Sequence, residues 1–271
     1  MLERTFQLIP GVGPWREKDL WARGIARWDD FPGPDGIGIS ARVDDAARGR
    51  LLEARQALAA KDLGALAAML PAREHWRLYP HFASEAVFLD IEADGPPGRQ
   101  TPTVVGLLDD DGPRTFIADR NLDELPAALR RRRIWVTFNG SCHDLPVLQA
   151  WFEDFPRPVV HIDLRHLCRK VRLHGGLKDI EDRVGLARPP HLRGVNGWDA
   201  IVLWRAWKET RDKGALRFLV EYNLYDAINL KSLIAIAYNR AAEGLHCDET
   251  RVEVFDRGEV LYDISRLVLA L

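Results

Sequence analysis

The sequence predicts an α/β fold: a mixed sheet with helices packed on it, preceded by a helical lead. Two observations carry that reading. Short apolar strands begin at Ala83, where the preceding residues carry Leu and Ala at helical spacing. After three strands the pattern then changes from a meander to alternating strand and helix, the order of a sheet of mixed direction covered by helices.

Taken in order, residues 1–80 form the lead, in which 44–60 and 63–70 have the helical pattern and Pro71 ends it. Gly33-Pro34-Asp35-Gly36 marks a loop inside this region. The first strand, Ala86-Val87-Phe88-Leu89-Asp90-Ile91-Glu92, stops at Asp94-Gly95-Pro96-Pro97. Strands over 103–108 and 114–118 flank the turn at Asp109-Asp110-Asp111-Gly112-Pro113 and complete an antiparallel meander. A helix over 122–132, a strand over 134–138, a helix over 145–152 and a strand over 159–162 follow. The chain is then largely helical to Ala242, with a Gly- and Pro-rich break between Gly185 and Gly197. The regions expected are thus 1–80, 81–242 and an extension over 243–271, whose one signal is a strand at 251–255.

A chain of 271 residues, 46% hydrophobic and 29% charged, has the composition of a soluble globular protein. No apolar run approaches the roughly 18 residues that a membrane span needs, and Met1-Leu2-Glu3-Arg4 lacks a basic segment followed by an apolar stretch, so no signal peptide is expected. Cys142, Cys168 and Cys247, odd in number and widely spaced, are expected to be free thiols in a reducing cytoplasm. The net charge of −2 gives no bulk sign of nucleic-acid binding, although neutralising four carboxylates would leave the remainder positive. Arginine outnumbers lysine by 31 to 7, which suits bidentate phosphate contacts; a GC-rich coding sequence produces the same bias.

Chemistry enters with Asp90 and Glu92. Residues two apart on a strand share a face, so these two carboxylates project together from a half-buried segment. That is costly without positive compensation, and a hard divalent cation is the simplest source. Asn139-Gly140-Ser141-Cys142-His143-Asp144 then puts Asp144 where the fourth strand gives way to a helix. In Tyr222-Asn223-Leu224-Tyr225-Asp226, the residues four apart share one helical face, so Tyr222 and Asp226 point into one site.

These three motifs, in this order and on these elements, resemble those of the DEDD exonuclease superfamily. The tyrosine branch is indicated, because Glu221 stands where the histidine branch has His. More narrowly, His75-Trp76-Arg77-Leu78-Tyr79, 88–92, Gly176-Leu177-Lys178-Asp179-Ile180-Glu181 and Gly197-Trp198-Asp199-Ala200 resemble a YprB-type ribonuclease-H-like domain over about residues 72–240. The resemblance implies a five-stranded mixed sheet flanked by helices, with two Mg²⁺ or Mn²⁺ ions held by Asp90, Glu92, Asp144 and Asp226. It implies hydrolysis of DNA or RNA from a strand end, 3′ to 5′, with Tyr222 orienting the attacking water. Its alternatives are a non-catalytic nucleic-acid-binding module serving a helicase or other partner enzyme, and a phosphoesterase acting on a small nucleotide.

Asn139, His143 and Lys178 are candidate substrate contacts. His143 departs from the Phe or Tyr usual in the family, and serves either as a phosphate contact or as a spacer. Four further features each have two readings. Ile9-Pro10-Gly11-Val12-Gly13-Pro14 resembles a helix-hairpin-helix turn, or is a structural turn, with Glu17 where that motif has a small residue. Arg130-Arg131-Arg132-Arg133 is a helix-end cap or a phosphate-tracking patch. Trp198, Trp204 and Trp207 are core residues or stacking platforms, and Asp163 is a helix cap or an acid supporting the site. The eight histidines have no paired metal spacing, so no zinc site is expected.

Overall fold

The computed structural model describes residues 1–32, 41–245, 251–254 and 264–270, those at 41–43 without their side chains. The chain divides into two units, Met1–Ala83 with Ala242–Thr250, and Ser84–Ala241 with Arg251–Leu271.

In the first unit, helix α1 (Pro14–Ala22) begins with proline just after Gly13, where the missing N–H costs no hydrogen bond. Helix α2 (Ala41–Ala59) leads to α3 (Leu63–Met69), whose first turn is capped by Asp62 accepting from the Ala65 N–H at 3.0 Å. A 3-10 stretch, Ala72–His81, contributes Arg77, whose side chain is 1% exposed. Burial alone would lower the Arg77 pKa, but Glu17 and Glu74 raise it and hold the guanidinium charged. Arg77 donates to Glu17 at 2.9 and 2.8 Å, to Glu74 at 2.8 Å and to Thr5 Oγ1 at 3.1 Å. Glu17 also accepts from the Phe6 N–H at 2.8 Å and from Gln7 Nε2 at 2.7 Å. The turn before α1 closes through the Val12 N–H to Ile9 O at 3.0 Å, with Gly11 at φ +82°. Residues 1–8, which would supply the first helix of a hairpin, contain a 3-10 turn over Leu2–Arg4.

The second unit is built on a five-stranded mixed sheet with flanking helices. Its strands are β1 (Ala86–Asp94), β2 (Thr101–Asp109), β3 (Gly112–Ile117), β4 (Ile134–Thr137) and β5 (Val160–Asp163), in the order β3-β2-β1-β4-β5. β1 pairs antiparallel with β2 and parallel with β4; β2–β3 is antiparallel and β4–β5 parallel. This is the meander followed by strand–helix alternation that the sequence predicts. Along β1, Val87, Leu89 and Ile91 enter a core with Leu107, Leu125, Leu129, Trp135 and Leu148. Asp90 and Glu92 therefore lie on the opposite face.

The flanking helices are α4 (Leu125–Arg130), α5 (Asp144–Trp151), α6 (Leu164–Lys170), α7 (Leu177–Val184), α8 (Gly197–Thr210), α9 (Lys213–Glu243) and α10 (Ser265–Leu269). The single helix expected over 122–132 is split into a 3-10 turn, Leu122–Glu124, and α4. Pro126 accounts for the break, since proline is tolerated only in a helix's first turn. No strand forms over 251–254. There the Val252 N–H donates to Asn239 Oδ1 at 2.8 Å and its carbonyl accepts from Asn239 Nδ2 at 2.7 Å, so a side chain satisfies that backbone. Phe255, Gly33-Pro34-Asp35-Gly36 and Cys247 lie outside the described residues.

Each residue of the arginine run is paired with an acid: Arg130 with Asp154, Arg131 with Asp111, Arg132 with Asp109 and Asp111, Arg133 with Glu85. Trp204 and Trp207 are buried, whereas Trp198 is 66% exposed. Cys142 and Cys168 are free, and burial pushes the Cys168 thiol up to about 12. Among the described residues no helix is long and apolar enough to cross a membrane.

Candidate active site

The acids converge where the sheet meets α9. Asp90, Glu92 and Asp226 each offer a carboxylate oxygen, and these oxygens lie within 4.8 Å of one another. Asp90 and Glu92 are half-buried on one face of β1, and Asp226 is 4% exposed on α9. The helix approaches the strands closely at Gly106, which is paired with Asp90 in register. A Cβ at Gly106 would fall 2.7 Å from Asn223 Oδ1 and 3.0 Å from the Asn223 carbonyl oxygen. Glycine is required there because the backbone of α9 passes so near. In exchange Asn223 Nδ2 donates to the Asp90 carbonyl at 3.1 Å and to Asp90 Oδ2 at 2.9 Å, tying α9 to the acid-bearing strand.

Asp144 arrives from the other side, as the first residue of α5 and 4% exposed. Asp163 shapes the loop before it, accepting from the backbone N–H groups of Asn139 at 2.8 Å, Ser141 at 3.1 Å and Arg165 at 3.1 Å. Its carboxylate thus both caps α6 and braces the turn that delivers Asp144, so the two readings of Asp163 hold together. Asn139 sits at φ +63°, a conformation that asparagine tolerates better than most residues. Within this loop Asn139 Oδ1 accepts from Arg165 at 2.5 Å. His143 Nδ1 lies 3.2 Å from Asp144 Oδ1, while Asp144 Oδ2 is buried with no hydrogen-bond partner among the described residues.

Electrostatics follow from that crowding. Burial, then the charges of Asp226, Asp144 and Glu92, hold the Asp90 carboxyl well above the usual range, with Lys178 opposing. Glu92 is raised well above its usual value by burial and then Asp226. Asp144 is raised by burial, against the hydrogen bond from His143, and that same bond raises His143. The Tyr222 phenol, 2% exposed, is driven far above its ordinary value by burial and then by Asp226, Glu92 and Asp90.

Two cations partly offset the acids. Lys178 Nζ donates to Asp226 at 3.0 and 3.3 Å and stands 4.5 Å over the Tyr222 ring. Lys178 is thus built into the acid cluster. Arg188 donates to Asp226 and, as a fork, to Glu181 at 2.6 and 2.8 Å; Glu181 is steadied by Asn229 at 3.1 Å. Five carboxyls (Asp90, Glu92, Asp144, Glu181 and Asp226) thus stand against two basic side chains, Lys178 and Arg188. The excess negative charge, the convergent oxygens and the unpartnered Asp144 Oδ2 fit a site for hard divalent cations.

Of the residues singled out from the sequence, Asp90, Glu92, Tyr222, Asp226 and Lys178 are brought together, with Asp144 and His143 alongside. Asn139 is bonded through its side chain to Arg165 and through its backbone N–H to Asp163. Arg188 and the linking roles of Asn223, Glu181 and Gly106 had not been anticipated. For Asn223 and Asn229 a signal existed: with Asp226 they recur every three residues along an otherwise apolar helix face.

A family model described as the RNase_H superfamily, RNase_H_2, matches residues 87–238, which include all four acids and Tyr222. No curated protein sequence matches the chain. Among solved structures, the family B DNA polymerase from the hyperthermophilic archaeon Pyrobaculum calidifontis is similar over 61% of this chain and 26% of that one, at 14% identity and a TM-score of 0.43. The chain spans about a quarter of that polymerase's length.

Proposed function

The chain belongs to the RNase H superfamily, and from that premise we propose that it is a nuclease hydrolysing phosphodiester bonds at the end of a DNA or RNA strand. Asp90, Glu92, Asp144 and Asp226 would hold two divalent ions, Mg²⁺ or Mn²⁺, which suit their oxygen donors. When bound, such ions lower the pKa of water and offset charge on phosphoryl oxygens. The observation that carries the reading is the convergence of Asp90, Glu92 and Asp226 oxygens within 4.8 Å, with Asp144 Oδ2 buried and unpartnered beside them. The exonuclease character and 3′-to-5′ polarity rest on the resemblance of the three motifs to the tyrosine-type DEDD enzymes.

Within this reading the side chains divide the work. Tyr222 keeps its proton, because its pKa is raised, so its hydroxyl orients a water by hydrogen bonding and does not act as a base. Lys178 holds Asp226 by two hydrogen bonds and places its ammonium over the phenol ring, where it would offset charge on a bound phosphate. Asn223 fixes the orientation of Asp90 from behind. His143, with its raised pKa, steadies one oxygen of Asp144 and leaves the other for a cation.

The second reading, a nucleic-acid-binding module without hydrolysis, draws on the engagement of both Asp226 oxygens by Lys178 and Arg188. One assay separates the two. Strands of DNA and RNA labelled at either end, single and duplex, are incubated with the protein in Mn²⁺ or Mg²⁺. The proposal expects metal-dependent shortening from the 3′ end, abolished in Asp90→Asn and Asp226→Asn variants whose circular dichroism is unchanged. Binding without shortening favours the module, and equal shortening by both variants removes these acids from the reaction.

A further inference from the structure

Two cationic stretches of the second unit differ in what surrounds them. Each of Arg130, Arg131, Arg132 and Arg133 has an acidic partner, with Asp111 shared by Arg131 and Arg132. The interval between Asp163 and Asp179 contains no acid, yet holds Arg165, Arg169, Lys170, Arg172 and Lys178. Arg169 and Arg172 are exposed, and neither has an acidic partner among the described residues.

This stretch borders a groove of about 510 Å³ lined by Phe138, Asn139, Arg165, Arg169, Gly175 and Gly176. The groove adjoins both segments that run into the acid cluster. Asn139 opens the loop that ends at Asp144, and Gly176 immediately precedes α7, whose Lys178 is bonded to Asp226. Arg165 is anchored at the groove wall by Asn139 Oδ1, which fixes one guanidinium, while Arg169 remains free to reach a ligand. At Gly175 and Gly176 the backbone is engaged by Asp179, whose carboxylate accepts from the Gly176 N–H at 2.9 Å, so phosphate contacts in the groove fall to the arginines.

We propose that this groove is the track along which the phosphodiester backbone of a nucleic-acid strand is led to the acid cluster, with Arg165 and Arg169 as its phosphate contacts. The inference rests on the nuclease reading for where the strand goes, but its recognition chemistry is independent of any metal. The conspicuous arginine run is engaged by acids, and the less obvious one borders the groove.

Binding in EDTA tests the groove without hydrolysis. The full chain is titrated into 5′-fluorescein-labelled 15-mers of deoxythymidylate and of uridylate, and anisotropy is followed from low to high NaCl. Each phosphate contact on a single strand contributes about 0.7 to the slope of log K against log salt, which is about fivefold in affinity at 0.1 M salt. Arg169→Gln should therefore lower the slope by about 0.7 and weaken binding about fivefold, and Arg165→Gln with Arg169→Gln about twenty-five-fold. Arg169→Lys should keep the slope, and Arg131→Gln should bind as the unsubstituted chain does. Loss on both probes means that phosphates alone are tracked; loss on one means that the groove also reads the sugar. An unchanged slope in Arg169→Gln, an equal fall in Arg131→Gln, or no binding by the unsubstituted chain overturns the proposal. Shortening of strands in Mn²⁺ is scored separately, so the groove and the nuclease reading fail by different results.

Discussion

Substituting Gly106 by alanine tests whether the close approach of α9 to β2 holds the acid cluster in register. The new methyl would lie 2.7 Å from Asn223 Oδ1, 3.0 Å from the Asn223 carbonyl oxygen and 3.2 Å from its carbon. Two of these atoms are helix backbone, so no change of rotamer relieves the clash. Overpacking of this kind costs about 1–3 kcal/mol, while the lost freedom of glycine in the unfolded chain returns about 0.4–1 kcal/mol. The clash wins. If α9 moves back, Asn223 also loses its 2.9 Å bond to Asp90 Oδ2, a bond to a charged group worth about 1.5–3 kcal/mol. The expected destabilisation is about 2–4 kcal/mol, or a fall in Tm of roughly 5–15 °C for a unit of this size. Thermal unfolding by circular dichroism measures the first effect, and calorimetric titration with Mn²⁺ measures the accompanying loss of cation affinity. A variant with the unsubstituted chain's Tm and Mn²⁺ affinity would refute the idea that this contact sets the distance between Asp90 and Asp226.

Three more outcomes are expected. Arg77→Met leaves Glu17 and Glu74 buried without their shared cation, so the first unit should lose about 3–5 kcal/mol in urea denaturation; a change under 1 kcal/mol contradicts the network's role. Asp90, Glu92 and Asp144 have raised pKa values in the folded state, so the stability they contribute is fully present below the ordinary carboxylate range and is lost as pH rises through their raised values. Metal-free protein should therefore melt at lower temperature as pH climbs to neutrality, with Mn²⁺ reversing the trend, and a melting temperature indifferent to both pH and Mn²⁺ counts against an uncompensated acid cluster. Tyr222→Phe should slow strand shortening about tenfold to a hundredfold, or roughly 1.4–2.7 kcal/mol in the barrier, while Mn²⁺ affinity is retained. Full turnover in that variant removes the phenol from the mechanism.

What the sequence revealed of the fold and the site, it revealed through local periodicity. The two-residue period of β1 put Asp90 and Glu92 on one face, and the four-residue step on α9 put Tyr222 beside Asp226. Asp144 was legible because a Gly- and Asn-bearing turn directly follows an apolar strand. What stayed hidden depends on contacts far apart in the chain. Arg188 reaches Asp226 from a loop 38 residues earlier, and no pattern within that loop marks it. Asn223 meets Asp90 across 133 residues. The run at 130–133 was conspicuous as sequence, but its partners, from Glu85 to Asp154, emerge only once the sheet and its hairpin are assembled. Gly106 did carry a hint, since glycine inside an apolar strand marks a close approach of another backbone; which backbone approaches is decided by topology.

The most direct test of the central claim is to locate Mn²⁺ by anomalous diffraction in crystals of the full chain. Two peaks bounded by Asp90, Glu92, Asp144 and Asp226, with Asp144 Oδ2 now ligated, are what the proposal predicts. A site that takes up no ion at saturating Mn²⁺, with Lys178 and Arg188 still closed on Asp226, would contradict it.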